Sequence, residues 1–516
     1  MNAKRSFYNV FWGLTSQMIS IMMGIIIPRL VLINLGSESN GLLSSVNQAL
    51  IYLNLLEAGI GTATLQALYK PVALQDKKEI NSVLSATNKY YKKVGTWYFT
   101  AVCVLSVIYP LVVKSTLPTY QVVIVVFFSG LAQVINFFFQ GKYRILLQAE
   151  GKNYIITNLG TVLNICTSIS KIGMLLLGFD VAALQIMYFV FSVIQMGYIC
   201  LYIRKKYKWI DLSVEPNENA LSQRKSVMIH QISGLIFSNT DVLLLTYFCG
   251  LKVVSVYSMY VMLFGMIGTV ISTLNGSVSF VLGQAYGTDK KYFMKLYNAF
   301  ETYNMALTFS MYSIAAAFIL PFLKIYTSGV TDINYIDTML PYLFVATYLL
   351  SNGRSASQRV IEYAGHFKLT QNRSIIESII NILVSLASVH YFGIYGVLFG
   401  TIAALLYRTN DMVIYASKHL LKRKASVTYI KWLSNAGLFV VVTILMREII
   451  QRINMGSYVV IIGSAVIACT CIIPLFFVVA SVIDRNSYRF CLTFCKEKLK
   501  HIIEKHNNGA KNGSDE

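Results

Sequence analysis

The sequence predicts an all-α integral membrane protein of about 14 transmembrane helices. They would form two parallel six-helix lobes followed by a C-terminal helix pair. Three observations predict it. Apolar runs long enough to cross a bilayer fill the chain from Tyr8 to Val482, with 55% hydrophobic and 13% charged residues, against roughly 25% charged in a soluble domain. The runs are continuous rather than alternating, so the backbone is satisfied within helices and not between barrel strands. The connections alternate between basic and nearly uncharged, as in a chain that crosses a membrane repeatedly.

Taken in order, the spans are 8–35, 41–69, 94–113, 120–140, 153–177, 181–203, 227–249, 253–284, 300–321, 338–357, 374–391, 394–415, 432–450 and 458–482. Each is close to or above the roughly 20 residues that cross a 30 Å hydrocarbon core. The first follows Lys4 and Arg5 but is too long for a signal peptide and lacks an A-x-A site. Lys77, Lys78, Lys89, Lys92 and Lys93 follow the second span; Arg204, Lys205, Lys206 and Lys208 follow the sixth; Lys418, Lys422, Arg423 and Lys424 follow the twelfth. The segments Gly36–Asn40, Gly178–Asp180 and Tyr391–Gly393 carry no Lys or Arg. About 37 of the 44 basic residues fall on one side, which the positive-inside rule makes cytoplasmic, with both termini. The net charge of +21 is then an orientation signal and an attraction to anionic membrane lipids, not a nucleic-acid footprint. The cysteines show no C-x-x-C or Cys/His zinc spacing, and most lie in apolar runs, where they pack as small hydrophobes. Cys491 and Cys495 are one helical turn apart near the cytoplasmic face.

A weak internal repeat appears at an offset near 214. Gly36 matches Gly250, Asp76-Lys77-Lys78 matches Asp289-Lys290-Lys291, Arg144 and Ala149 match Arg359 and Ala364, and Gly178 matches Gly393. Each repeat holds an even number of helices, so the two point the same way, as in parallel transporter repeats. The expected organisation is lobes at 1–215 and 216–430, a helix pair at 431–484 and a basic cytoplasmic tail at 485–516.

Several spans carry polar residues at three- and four-residue spacing, hence on one face. Examples are Asn47, Asn54 and Glu57 in the second, Asn164, Ser168 and Lys171 in the fifth, and Ser374, Ser378, Asn381, Ser385 and Ser388 in the eleventh. Close helix packing accounts for the serines. Ionisable residues cost at least ~2.5–3.5 kcal/mol at the bilayer centre and call for a functional reading. The basic candidates for a cavity role are Arg29, Lys171, Arg354 and Arg359; the ion-coupling candidates are Glu57 and Asp241. Asn47, Asn54, Asn164 and His230 are accessory candidates. Arg359 with Glu362 and Arg408 with Asp411 read as local helix-surface pairs, and Glu301 and Glu377 as residues at water-accessible edges. There is no phosphate-binding G-x-x-x-x-G-K-[ST] loop, no H-E-x-x-H and no G-x-S-x-G, so neither a built-in ATPase nor hydrolase chemistry is expected. No cofactor and no metal site are expected; transport energy would come from Na+, H+ or the membrane potential.

Pro28–Asp76, with HQISGLIFSNTDVLLL (His230–Leu245) and AGHFKLTQNRSIIESIINI (Ala364–Ile382), resembles the polysaccharide and oligosaccharide flippases of the multidrug/oligosaccharidyl-lipid/polysaccharide (MOP) exporter superfamily. The resemblance spans roughly residues 5–430. It implies a two-lobe alternating-access transporter in a bacterial cytoplasmic membrane. Its cargo would be an undecaprenyl-diphosphate-linked oligosaccharide, moved from the inner to the outer leaflet for surface polysaccharide synthesis, with Arg29, Lys171, Arg354 and Arg359 as the positions that would hold its anionic groups in a cavity. Glycosyltransferases and a polysaccharide polymerase would be its partners. Within the superfamily, a lipid II flippase and a multidrug (MATE-type) drug/cation antiporter are the alternatives. A membrane glycosyltransferase or polymerase would carry a large outer loop, which this chain lacks.

Overall fold

A computed structural model describes residues 3–57, 60–217, 239–494, 496 and 497. Among them there are helices and no strands. The helices are α1 (Ala3–Leu53), α2 (Ile60–Leu74), α3 (Lys77–Val112), α4 (Thr119–Ile135), α5 (Gly141–Ala149), α6 (Asn153–Leu176) and α7 (Val181–Lys206). Then come α8 (239–249), α9 (Leu251–Thr288), α10 (Lys290–Tyr326), α11 (Leu340–Gly353), α12 (Ser355–Tyr363), α13 (Phe367–Phe392), α14 (Ile394–Tyr415), α15 (Ser426–Arg452), α16 (Tyr458–Ile483) and α17 (485–494).

Among the described residues, eleven helical stretches are long and apolar enough to cross a membrane. One of them, Gln17–Glu57, is two helices joined at Gly36, whose φ of 78° breaks the helix. The tenth expected span is split into α11 and α12, each too short to count, and the seventh lies partly outside the described residues. Eleven, plus one for the break at Gly36 and one each for the tenth and seventh, gives the expected 14. The protein is multi-pass. The helices outrun the apolar segments, because a cap rather than the membrane edge starts them. Asp76 accepts from the Lys78 and Glu79 amides at 3.1 and 3.0 Å, so α3 begins at Lys77 and not near residue 94.

The repeat recurs in local geometry. Asp289 caps α10 as Asp76 caps α3, accepting from the Lys291 amide at 2.8 Å and that of Tyr292 at 3.1 Å. Gly36 and Gly250 have φ of 78° and 85°; Gly178 and Gly393 have 80° and 53°. Left-handed backbone favours glycine, which has no Cβ to clash.

The chain forms two compact units. The first comprises Met1–Met262, Tyr326–Tyr335 and Ser378–Gly400. Its core runs through α1, α3, α4 and α5, with Leu42, Val46, Tyr98, Val102, Val125 and Phe137 fully buried. α9 approaches α1 so closely that a Cβ at Gly41 would overlap the Leu251 carbonyl. The Ser388 hydroxyl donates to the Gly396 carbonyl at 2.9 Å, holding the α13–α14 hairpin, so this serine serves packing. The second unit comprises Leu263–Ile325, Ile336–Glu377 and Thr401–Glu516. Phe293, Tyr297, Val360 and Ala416 form part of its core. Asp484, just beyond α16, caps α17 through the Ser487 amide (3.0 Å) and hydroxyl (2.7 Å). Burial would raise its carboxyl, but these bonds, Lys431 and Thr302 hold it below the usual aspartate range.

Candidate functional site

The first unit has a polar interior, built by two departures from regular helix. α4 does not stop at Gln140, where the apolar run stops. It passes through a π-helical turn, Asn136–Gln140, and continues as α5. Such turns recur at functional sites. Ser129, Gln133, Asn136, Gln140 and Arg144 follow one another at three or four residues, so they lie along one face. The second expected span is not continuous either: α1 gives way to a tight 3-10 turn, Asn54–Glu57, before α2. From α3, the Tyr91 hydroxyl donates to Glu57 Oε1 at 2.7 Å.

These elements enclose two cavities. One of 190 Å³ is lined by Asn47, Asn54, Gln133, Asn136, Arg144 and Tyr188, with further amides and hydroxyls. The other, of 370 Å³, is lined by Glu57, Tyr91, Asn136, Arg144, Gln148 and Asn153. Asn136 and Arg144 line both. Two kinds of unmet bonding capacity meet there. The half-buried Arg144 guanidinium has no hydrogen-bond acceptor or carboxylate among the described residues. The amide oxygens of Asn54, Asn136 and Gln140 are buried and receive no donor among them. Buried polar groups are normally satisfied, so donors and acceptors left over together describe room for a polar guest that offers both.

Lys171 on α6 also lacks a carboxylate among the described residues. Its ammonium lies 5.2 Å from the ring centroid of Tyr188, which lines the first cavity. The structure therefore gathers Asn47, Asn54 and Glu57 around Arg144, with Lys171 one ring away. The other candidates lie elsewhere. Asn164 donates to the Ser20 hydroxyl at 3.4 Å. Arg29 donates to the Tyr326 carbonyl and lies 5.7 Å over the Tyr326 ring. Asp241 is buried and accepts from the Tyr257 hydroxyl at 2.9 Å. His230 is outside the described residues.

In the second unit the candidate cations Arg354 and Arg359 have partners. Arg354 bonds Glu377 at 2.6 Å. Arg408 reaches the same carboxylate at 3.5 Å and Asp411 at 2.7 Å, and Arg373 joins Asp411 at 2.5 Å. The Arg408–Asp411 pair is thus part of a buried cluster and not a surface feature. Arg359 donates to the Ser279 hydroxyl at 2.9 Å and lies 3.9 Å from Glu362. Glu377 is 6% exposed and Glu301 0%, so neither is the water-accessible edge residue that the sequence suggested. Each is closed in by cations reaching over from neighbouring elements.

No family model matches the sequence, and no curated protein matches it. Solved structures do. An inward-facing multidrug resistance MATE family transporter of the MOP superfamily superposes with TM-score 0.64 at 16% identity, covering 79% of this chain and 98% of that one. Lipid II flippase MurJ, in an inward closed conformation, superposes with TM-score 0.69 at 13% identity, covering 92% and 99%. The MATE multidrug transporter DinF-BH gives 0.56 at 13%, covering 81% and 96%. The chain has the MOP-transporter fold.

Within that MOP fold, Arg144 is the cavity residue that sequence reasoning missed. It entered only as a repeat match to Arg359. The signal that could have found it was present: the stripe from Ser129 to Arg144 keeps helical spacing through the end of the apolar run.

Proposed function

We propose that this protein is a flippase that carries an undecaprenyl-diphosphate-linked oligosaccharide from the inner to the outer leaflet of the cytoplasmic membrane by alternating access. The observation that carries this reading is the set of unmet donors and acceptors around Arg144, in cavities lined by amides and hydroxyls. Sugars offer hydroxyls to amide oxygens, and phosphate offers oxygens to arginine, which binds it bidentately. The cavities around Arg144 hold one carboxylate, Glu57, and are lined chiefly by amides and hydroxyls, which suits a polar anionic guest better than a cationic drug. The likeness to a lipid II flippase supports a lipid-linked glycan as the class of cargo. Glu57, in the same interior, is the coupling carboxylate on this reading; Asp241 is a second. Arg29, Arg354 and Arg359 take the cargo's anionic groups only if transport frees them from the partners described above.

The test is leaflet-resolved detection of a lipid-linked glycan in vesicles reconstituted with the wild type or with Arg144→Ala. Flipping by the wild type, and its loss in the variant, is the expected result. Equal flipping by both would remove Arg144 from the path, and export of a cationic dye without any glycan flipping would make the protein a drug antiporter instead.

A further inference from the structure

The second unit contains an apolar cavity that the proposed transport reading does not use. It has a volume of 960 Å³ and lies between α10, α16 and α17, with walls from Tyr303, Phe477, Val478 and Leu492. A second apolar cavity, of 470 Å³, is lined from α9, α10, α16 and α17. Tyr303, Phe477 and Cys491 line both. The walls are fixed: the Tyr303 hydroxyl bonds Ser481 at 2.9 Å, and its ring stacks on Phe477 with centroids 5.4 Å apart. Asp484 holds the start of α17 through its cap and through Lys431 at 3.1 Å.

The rim has a sign. Arg485 and Arg489 line the larger cavity. They are four residues apart, so they share a face of α17. Both side chains are exposed, and neither has a partner among the described residues. No acidic residue lines either cavity. Depth also matches. α16 has 26 residues, about 39 Å of helix at 1.5 Å per residue, more than the roughly 30 Å hydrocarbon core. Its end, and the arginines that follow, therefore reach the headgroup layer.

We propose that the paired cavity binds a resident anionic phospholipid, with an acyl chain against Tyr303 and Phe477 and the phosphate on Arg485 and Arg489. An apolar space of this size in a bilayer is filled by chains and not by water. Arginine pairs with phosphate oxygens, and a basic segment beside a span draws anionic over zwitterionic lipid. The lipid would clasp α17 to α10 and α16.

Native mass spectrometry of the purified full chain tests this, with phosphatidylglycerol, phosphatidylcholine and undecaprenyl phosphate as probes. The wild type is expected to keep one phosphatidylglycerol through washing and to exchange it poorly for phosphatidylcholine. Arg485→Ala with Arg489→Ala reduces retention about tenfold, as does Val478→Trp, which intrudes on the space for the acyl chain and leaves the arginines in place. Equal retention of the two phospholipids by the wild type overturns the proposal without any variant having to fold. So does unchanged retention in both variants. Displacement of phosphatidylglycerol by equimolar undecaprenyl phosphate also overturns it, since the cavity would then belong to the carrier. Glycan flipping is not measured here, so the transport reading stands or falls separately.

Discussion

Arg144 in the first unit and Arg408 in the second are both arginines on transmembrane segments, and their surroundings differ. Arg408 is 3% exposed and bridges two carboxylates, Glu377 and Asp411, which also hold Arg354 and Arg373. Nearby in sequence, Arg423 and Lys431 close on Glu301 at 2.5 and 3.0 Å, and Lys431 reaches on to Asp484. Arg144 has no carboxylate among the described residues and faces two cavities. A desolvated charge is costly wherever it sits. In the second unit the compensation is built into the chain, and the charges tie helices together. In the first unit it is missing from the chain, so it comes from water or from whatever enters. The same residue type serves cohesion in the second unit and, on the proposed reading, capture in the first.

The largest effect expected from that contrast is on stability. Glu301→Ala leaves Arg423 and Lys431 buried without their shared carboxylate. Breaking a buried pair from one side costs about 3–5 kcal/mol. A large fall in the thermal unfolding midpoint in detergent checks it. An unchanged midpoint would mean that these ions hold nothing together.

Arg144→Ala is expected to do the reverse. It removes no ion pair and relieves the desolvation of an unmatched cation, so the unfolding midpoint holds or rises. Transport in vesicles falls about tenfold or more, through the lost charge-assisted bonds to the cargo. A midpoint that drops as far as for Glu301→Ala would reveal a structural role for Arg144 and dissolve the contrast. Arg354→Ala sharpens it from the other side. Losing its bond to Glu377 costs about 1.5–3 kcal/mol, and any loss of transport tracks the amount of folded protein. Specific activity per folded molecule is the measurement that separates these two arginines.

The architecture was legible in the sequence because apolar length, loop charge and turn glycines are local signals. Gly36, Gly178, Gly250 and Gly393 marked helix breaks in the sequence, and all four have left-handed backbones in the structure. The polar interior was half legible. Asn47, Asn54 and Glu57 stood out because they interrupt an apolar span. Arg144 did not, because hydropathy ends the fourth span at Gln140, and only a helix that continues through a π-helical turn carries the stripe onward. The pairing of Arg354 with Glu377 was not legible at all. The two are 23 residues apart, Arg354 at the α11–α12 junction and Glu377 on α13, and such a contact is a property of packing rather than of spacing.

The smallest predicted effect is the most discriminating. Tyr91 and Tyr297 each donate a hydroxyl to a carboxylate inside a lobe, Tyr91 to Glu57 at 2.7 Å and Tyr297 to Glu301 at 3.2 Å. Tyr91→Phe removes one hydrogen bond and costs about 1 kcal/mol; Tyr297→Phe also loses its bond to Ser357 and costs somewhat more. Stability does not separate the roles of the two tyrosines. The carboxylates they leave behind do. Glu301 retains Arg423, Lys431 and Thr428. Glu57 retains no hydrogen-bond donor among the described residues. If Glu57 takes part in ion coupling, Tyr91→Phe shifts the dependence of transport on an imposed Na+ or H+ gradient, and Glu57→Gln weakens it further. Tyr297→Phe leaves that dependence alone. Identical gradient dependence in all three variants would take Glu57 out of the coupling while leaving the cavity around Arg144 as it stands.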